Sequence, residues 1–242
     1  HAKQINQLTV GGIGSLMLLS TPGTGLLPQN HLLTASQQIT STTDKNALLS
    51  AKLSDSLPKD VRPLTAQEEQ EIGKLLTDSF GFPVSADIGG LRLNRSYGLI
   101  GGEQHLYRFP GDTVFKHAQN SADWAMFGQS GIAPGLGAWG YFTQSETTMT
   151  EKDVQREKYY IAVQTFLASG FAENVAKYRD FFKYQKMLLV NPKTGQSVVT
   201  VIGDAGPAEW TGKHLGGSPE VMHFLGLAQG PRKGYVLYFF IS

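Results

Sequence analysis

Residues 197–214 read SVVTVIGDAGPAEWTGKH, and this stretch decides the fold class. The β-branched run from Ser197 to Ile202 predicts a strand that delivers one carboxylate, Asp204, onto a turn made by Gly206 and Pro207. Gly206 leaves little bulk beside that carboxylate, and Pro207 fixes the backbone as it leaves the strand. Trp210 and His214 follow directly. An acid at a strand end beside an aromatic platform suits sugar chemistry, in which the ring stacks while the acid protonates a glycosidic oxygen. An Asp in a turn is also a common backbone cap, so at this level both readings stand.

Working outward, Met187–Val190 and Ser197–Ile202 are two strands joined by the turn sequence Asn191-Pro192-Lys193-Thr194-Gly195. Ser218-Pro219-Glu220 is an N-cap with proline at the first helical position, and Gly226 ends that helix. Tyr235–Ile241 (YVLYFFI) is a closing strand. Upstream, Glu173–Tyr184 has helical spacing, whereas Glu157–Phe166 (EKYYIAVQTF) and Leu136–Phe142 (LGAWGYF) read as strands. Thr65-Ala66-Gln67-Glu68 is a capping box that opens a helix closed by Gly81 and Pro83. Short strand-like pieces fill Val84–Lys116, and residues 20–62 are polar and read as extended.

The order of pieces from Met187 to Ile241 resembles the double-psi β-barrel of the rare lipoprotein A, expansin and barwin type. The matching parts are LLVNPKTG, the strand ending in Asp-x-Gly-Pro (VVTVIGDAGP), then SPEVMHFLG and the final strand. Leu136–Phe142, with Trp139, resembles the family's opening strand, so the resemblance covers about residues 134–242. It implies a fold that is mainly β, with an α+β N-terminal region and a C-terminal six-stranded double-psi β-barrel. The expected division is an extended lead-in over 1–62 that wraps the body, an accessory α+β region over 63–133, and the barrel over 134–242.

In the lytic transglycosylases that share this barrel, the Asp of the Asp-x-Gly-Pro turn is the catalytic acid, and Asp204 occupies that place. The resemblance therefore implies an exported bacterial cell-wall protein that binds and cleaves peptidoglycan glycan strands, located in the periplasm or cell wall. Two alternatives stay open: a non-catalytic, expansin-like polysaccharide-binding module, and a barrel used for protein contacts. The chain departs from the rare lipoprotein A pattern in having Ala205 where that pattern has Arg. The loop with a second acid and a His is not recognisable either. Glu157, read at the start of a strand facing the barrel mouth, is the candidate second carboxylate, with a surface ion pair as its competing role. Trp139, Tyr141, Tyr160, Trp210 and His214 are the candidate substrate-binding residues. Glu103-Gln104-His105 is a compact polar cluster that offers a lid or helper acid.

Other function classes find little support. The 21 basic and 20 acidic residues leave no surplus charge for a nucleic-acid footprint. No cysteine is present, which removes thiolate metal sites and cysteine nucleophiles. The glycine-rich places lack a phosphate-loop pattern, so no nucleotide is expected. His105 and His117, like His214 and His223, stand too far apart for a local metal motif, and neither metal nor cofactor is expected. Membrane association would require Val10–Leu19 to be a residual anchor, and that run is shorter than the roughly 20 residues of a spanning helix.

Overall fold

The computed structural model describes residues 35–242, and side chains over 42–242. Two helices come first, α1 (Ala35–Ser56) and α2 (Ala66–Phe80). Thr65 caps α2 through the full capping box with Glu68, and Gly81 ends it in the left-handed region at φ 76°. Short strands β1 (Val84–Ser85), β2 (Asp87–Ile88) and β3 (Leu91–Arg92) lead into β4 (Tyr97–Gly102). Then come α3 (Ser121–Phe127), α4 (Glu151–Lys158), β5 (Tyr160–Val163) and α5 (Val175–Phe182). The chain ends with β6 (Lys186–Val190), β7 (Ser197–Ala205), β8 (Leu215–Gly217), α6 (Pro219–Phe224) and β9 (Lys233–Ile241).

Six of these strands close on themselves in the order β9-β4-β8-β5-β7-β6, with β6 returning to β9, while β1 adds to the free length of β9. The barrel is mixed: β4 runs parallel to β8 and β5 parallel to β7, and the other pairs are antiparallel. Successive side chains of a strand point to opposite faces, and that explains why YVLYFFI is apolar without a break. Val236, Tyr238 and Phe240 join a core cluster to which all six barrel strands contribute, together with Val221, Met222 and Leu225 from the α6 region. Leu237 and Phe239 face the opposite way into a second cluster with Leu53, Ile72 and Leu76 of α1 and α2. β6 splits in the same manner, Met187 and Leu189 to the first cluster, Leu188 and Val190 to the second. Each such fully buried apolar side chain contributes on the order of 1.5–3 kcal/mol, so the two helices belong to the barrel's stability.

Several expectations are corrected. Residues 35–56 are helical rather than extended. The barrel's first strand is β4 at 97–102, inside the stretch read as accessory, so the barrel does not start at residue 134. Leu136–Phe142 is not a strand; Gly140 there takes φ 74°, which breaks extended geometry. Glu157 belongs to α4, whose Thr150 cap and capping box with Asp153 start a helix, and only Tyr160–Val163 of that run is strand. Among the described residues no helix is long and apolar enough to cross a membrane. Val10–Leu19 lies outside the described residues.

Candidate functional site at the barrel rim

The site is built where β7 leaves the sheet. Opposite Ile161 and Ala162 of β5 stand Ile202 and Asp204, so Gly203 is an inserted bulge residue. A bulge re-aims the side chain that follows it. Only glycine fits here, because a Cβ on residue 203 would lie 2.5 Å from Cβ of Tyr160. Gly203→Ala is accordingly expected to cost about 1–3 kcal/mol through overpacking, read as a lower urea midpoint. An unchanged midpoint would show that β5 and β7 yield at no cost.

Asp204 is half-buried at the end of that strand. Its Oδ1 accepts N–H from Ala138 at 2.6 Å and from Ala205 at 2.7 Å, while Oδ2 takes no hydrogen bond among the described residues. Burial raises its pKa, the two N–H bonds offset part of that rise, and the nearby Glu103 carboxylate adds to it. The loop 137–139 is fastened across this carboxyl. Trp139 donates its indole N–H to the Ile202 carbonyl at 3.2 Å, and Arg179 donates to the Ala138 carbonyl at 2.9 Å. Glu103, just after β4, lies over Gly216 of β8, where any Cβ would meet its carboxylate. It pairs with Lys213 at 2.7 Å. Gln164, buried after β5, donates to the carbonyls of Pro207 and Lys213 and so holds both ends of the turn that carries Trp210. Glu103, from the cluster that the sequence offers as a lid or helper acid, stands close enough to Asp204 to affect its ionisation. Gln164 and Lys213 were missed because no local pattern marks them; their roles come from strand neighbours distant in sequence.

The remaining candidates divide. Trp210 is 88 % exposed on the turn after Asp204, and Tyr141 is also exposed. Trp139 is half-buried against the core, with Arg179 over its ring. Tyr160 is buried, its hydroxyl donating to the Gln104 carbonyl at 2.5 Å, and is a packing residue. His214 accepts the Leu99 N–H at Nδ1 and has Arg95 at 2.8 Å from Nε2. Burial and the Arg95 charge lower its pKa, so its ring is a neutral brace between β4 and β8.

Glu157 is not at the rim. It is fully buried in a chain of polar groups that runs Arg108, Asp112, His117, Glu157, His105. Burial opposes its charge, but bonds from His105 and His117 prevail and hold its pKa at about 2. Burial likewise opposes a charged His117, and its bonds to Asp112 and Glu157 prevail in raising it. The surface ion pair envisaged for Glu157 is replaced by this buried one.

Glu220, the second residue of α6, is 4 % exposed and its Oε2 has no hydrogen-bond partner among the described residues. Burial pushes its carboxyl from 4.5 up to about 7. The folded state then binds a proton that the unfolded state has already released, so stability falls as pH rises from about 4.5 to 7 and levels off above. A shift of that size amounts to roughly 3 kcal/mol. Glu220→Gln is expected to exceed wild type by about 2–3 kcal/mol at pH 8 and by nothing at pH 4.5. Parallel stability–pH curves for the two proteins would contradict this. A scan against protein-family models finds no match, and a search of curated proteins finds none either.

Proposed function

We propose that the protein acts in the bacterial cell envelope, binding peptidoglycan glycan strands along the barrel rim and cleaving them with Asp204 as the acid. The closed six-stranded mixed barrel, with Asp-x-Gly-Pro at the end of β7 and a Ser-Pro-capped helix before β9, is compatible with a double-psi barrel. That compatibility supports the resemblance to rare lipoprotein A and the expansins. The observation that carries the catalytic reading is the Asp204 carboxyl itself: half-buried, raised in pKa, one oxygen fixed by two N–H groups and the other open.

In this reading Asp204 gives its proton to the glycosidic oxygen as the C–O bond breaks. The sugar's own 6-hydroxyl closes on the anomeric carbon, and its proton returns to Asp204, leaving a 1,6-anhydro end. One carboxylate serves as acid and then base, so burial of Glu157 is no obstacle. Trp210 offers the stacking face. Trp210→Ala is expected to weaken sacculus binding roughly tenfold, the scale of one lost aromatic contact, with little change in thermal midpoint. A pull-down curve identical to wild type would remove Trp210 from the groove. The deciding experiment incubates the protein with purified sacculi and analyses the products by mass spectrometry. Anhydro-muropeptides support the reading. Binding without products supports the expansin-like module, and neither binding nor products leaves only protein contacts.

A further inference from the structure

Three segments distant in sequence converge in the interior. His105 follows β4, His117 follows the turn Val114–Lys116, and Glu157 lies in the last turn of α4. One donor atom from each lies within 4.8 Å of the other two. Both rings are oriented from outside. Asp112 already accepts from the Arg108 guanidinium and from the backbone N–H of Arg108 and Thr113, and it faces Nε2 of His117 at 2.9 Å. Nε2 of His105 faces the Phe127 carbonyl at 3.4 Å. Both outer partners can only accept, so each Nε2 carries a proton and each Nδ1 is left to face inward. The two Nδ1 atoms point at Glu157, at 3.2 Å from His105 and 3.0 Å from His117; with a proton each donates to the carboxylate, and without one each turns a lone pair towards it.

Two nitrogen lone pairs facing a carboxylate repel unless positive charge sits among them. Two protons would supply it as a pair of imidazolium rings. Those rings lie 4.6 Å apart by centroid in a fully buried place, where like charges are costly. One divalent cation carries the same charge of two and gives both lone pairs a bond.

We infer that His105, His117 and Glu157 bind a divalent transition-metal ion of the Zn²⁺ class, with Asp112 and the Phe127 carbonyl as the outer partners that orient the rings. Two imidazoles and one carboxylate are a donor set zinc accepts. A ligand histidine whose other nitrogen is held by a carboxylate or a carbonyl is the arrangement such sites use. Because the site is buried, the ion's work is structural. It ties the segment after β4, the 114–117 turn and α4 together, and it thereby steadies Glu103, two residues before His105, beside Asp204.

The test strips the full chain with a chelator, dialyses it, and titrates it with Zn²⁺ and separately with Co²⁺. The expected result is one Zn²⁺ retained per chain through dialysis and a thermal midpoint several degrees higher with metal. The Co²⁺ form should show the visible absorption of a low-coordinate nitrogen–oxygen site. Asp112→Asn, studied below the lowered thermal midpoint that a stranded Arg108 brings, should bind Zn²⁺ about 10–100-fold more weakly, the range for loss of an outer partner. His105→Gln and Glu157→Gln should lose retention, and should either fail to fold, the wild-type titration decides alone. Wild type that retains no Zn²⁺ and shows no thermal shift overturns the inference and leaves a cluster held by protons. Undiminished retention in folded His105→Gln or Glu157→Gln overturns it too, by moving the ion elsewhere.

Discussion

Asp204→Asn is expected to fold with the wild-type midpoint, to sediment with sacculi as wild type does, and to release anhydro-muropeptides about 10²–10⁴-fold more slowly, the scale of general acid catalysis lost. Asparagine keeps the acceptor that the Ala138 and Ala205 N–H groups use. It lacks the proton that a glycosidic oxygen must receive. The pH profile supplies an independent sign. A catalytic acid works only while protonated, so the rate should fall as pH rises through the Asp204 pKa, which burial sets above the ordinary carboxylate value. If Asp204→Asn and wild type release product equally, the carboxylate is not the catalyst. If the variant instead unfolds, the residue's office is to cap the loop 137–139 and the turn after β7.

The portion of this site legible in the sequence was the portion made by one continuous segment. The strand, Asp204, the Gly206-Pro207 turn and the Ser218 cap all lie within residues 197–224, and each is marked by local chemistry: β-branching, turn residues, an N-cap. β4 falls within the strand-like stretch Val84–Lys116, but nothing local in YGLIGG assigns it to the barrel; that place comes from parallel pairing of Ile100–Gly102 with Leu215–Gly217, more than a hundred residues away. The opposite error fell on LGAWGYF. Its glycines and aromatics look like a tight strand, yet Trp139 is turned to bond β7 and Gly140 reverses the chain. Glu157 was misplaced for a third reason. The aromatic run after it suggested a strand, and the Thr150–Asp153 capping box, which starts a helix just before, is a short signal beside it. His105 and His117 have no shared local motif, so only the closed barrel brings them to Glu157.

The largest stability effect is expected at Arg108, where side chains of 3 % and 0 % exposure form an ion pair with Asp112 at 2.9 Å. Removing one member of a buried pair leaves the other charge without compensation, which costs about 3–5 kcal/mol. Arg108→Met keeps most of the volume and removes the guanidinium, so the loss should come from charge rather than from a cavity. For a chain of this size the thermal midpoint should drop by roughly 10 °C. Acid gives the sign check. Burial raises the Asp112 carboxyl, but bonds from His117 and Arg108 outweigh it and hold the pKa well below 3.8. The stabilisation is therefore fully present above about pH 4 and is lost as pH falls below it. The gap between wild type and Arg108→Met should narrow as pH is lowered from 6 towards 3. In the double variant Arg108→Met/Asp112→Asn no charge is stranded, and its cost should fall short of the two single costs added together by about 1–3 kcal/mol. Strict additivity in that cycle would mean that Arg108 and Asp112 are neighbours without being partners. In that case the charge balance of the buried cluster would have to come from the His117–Glu157 end alone.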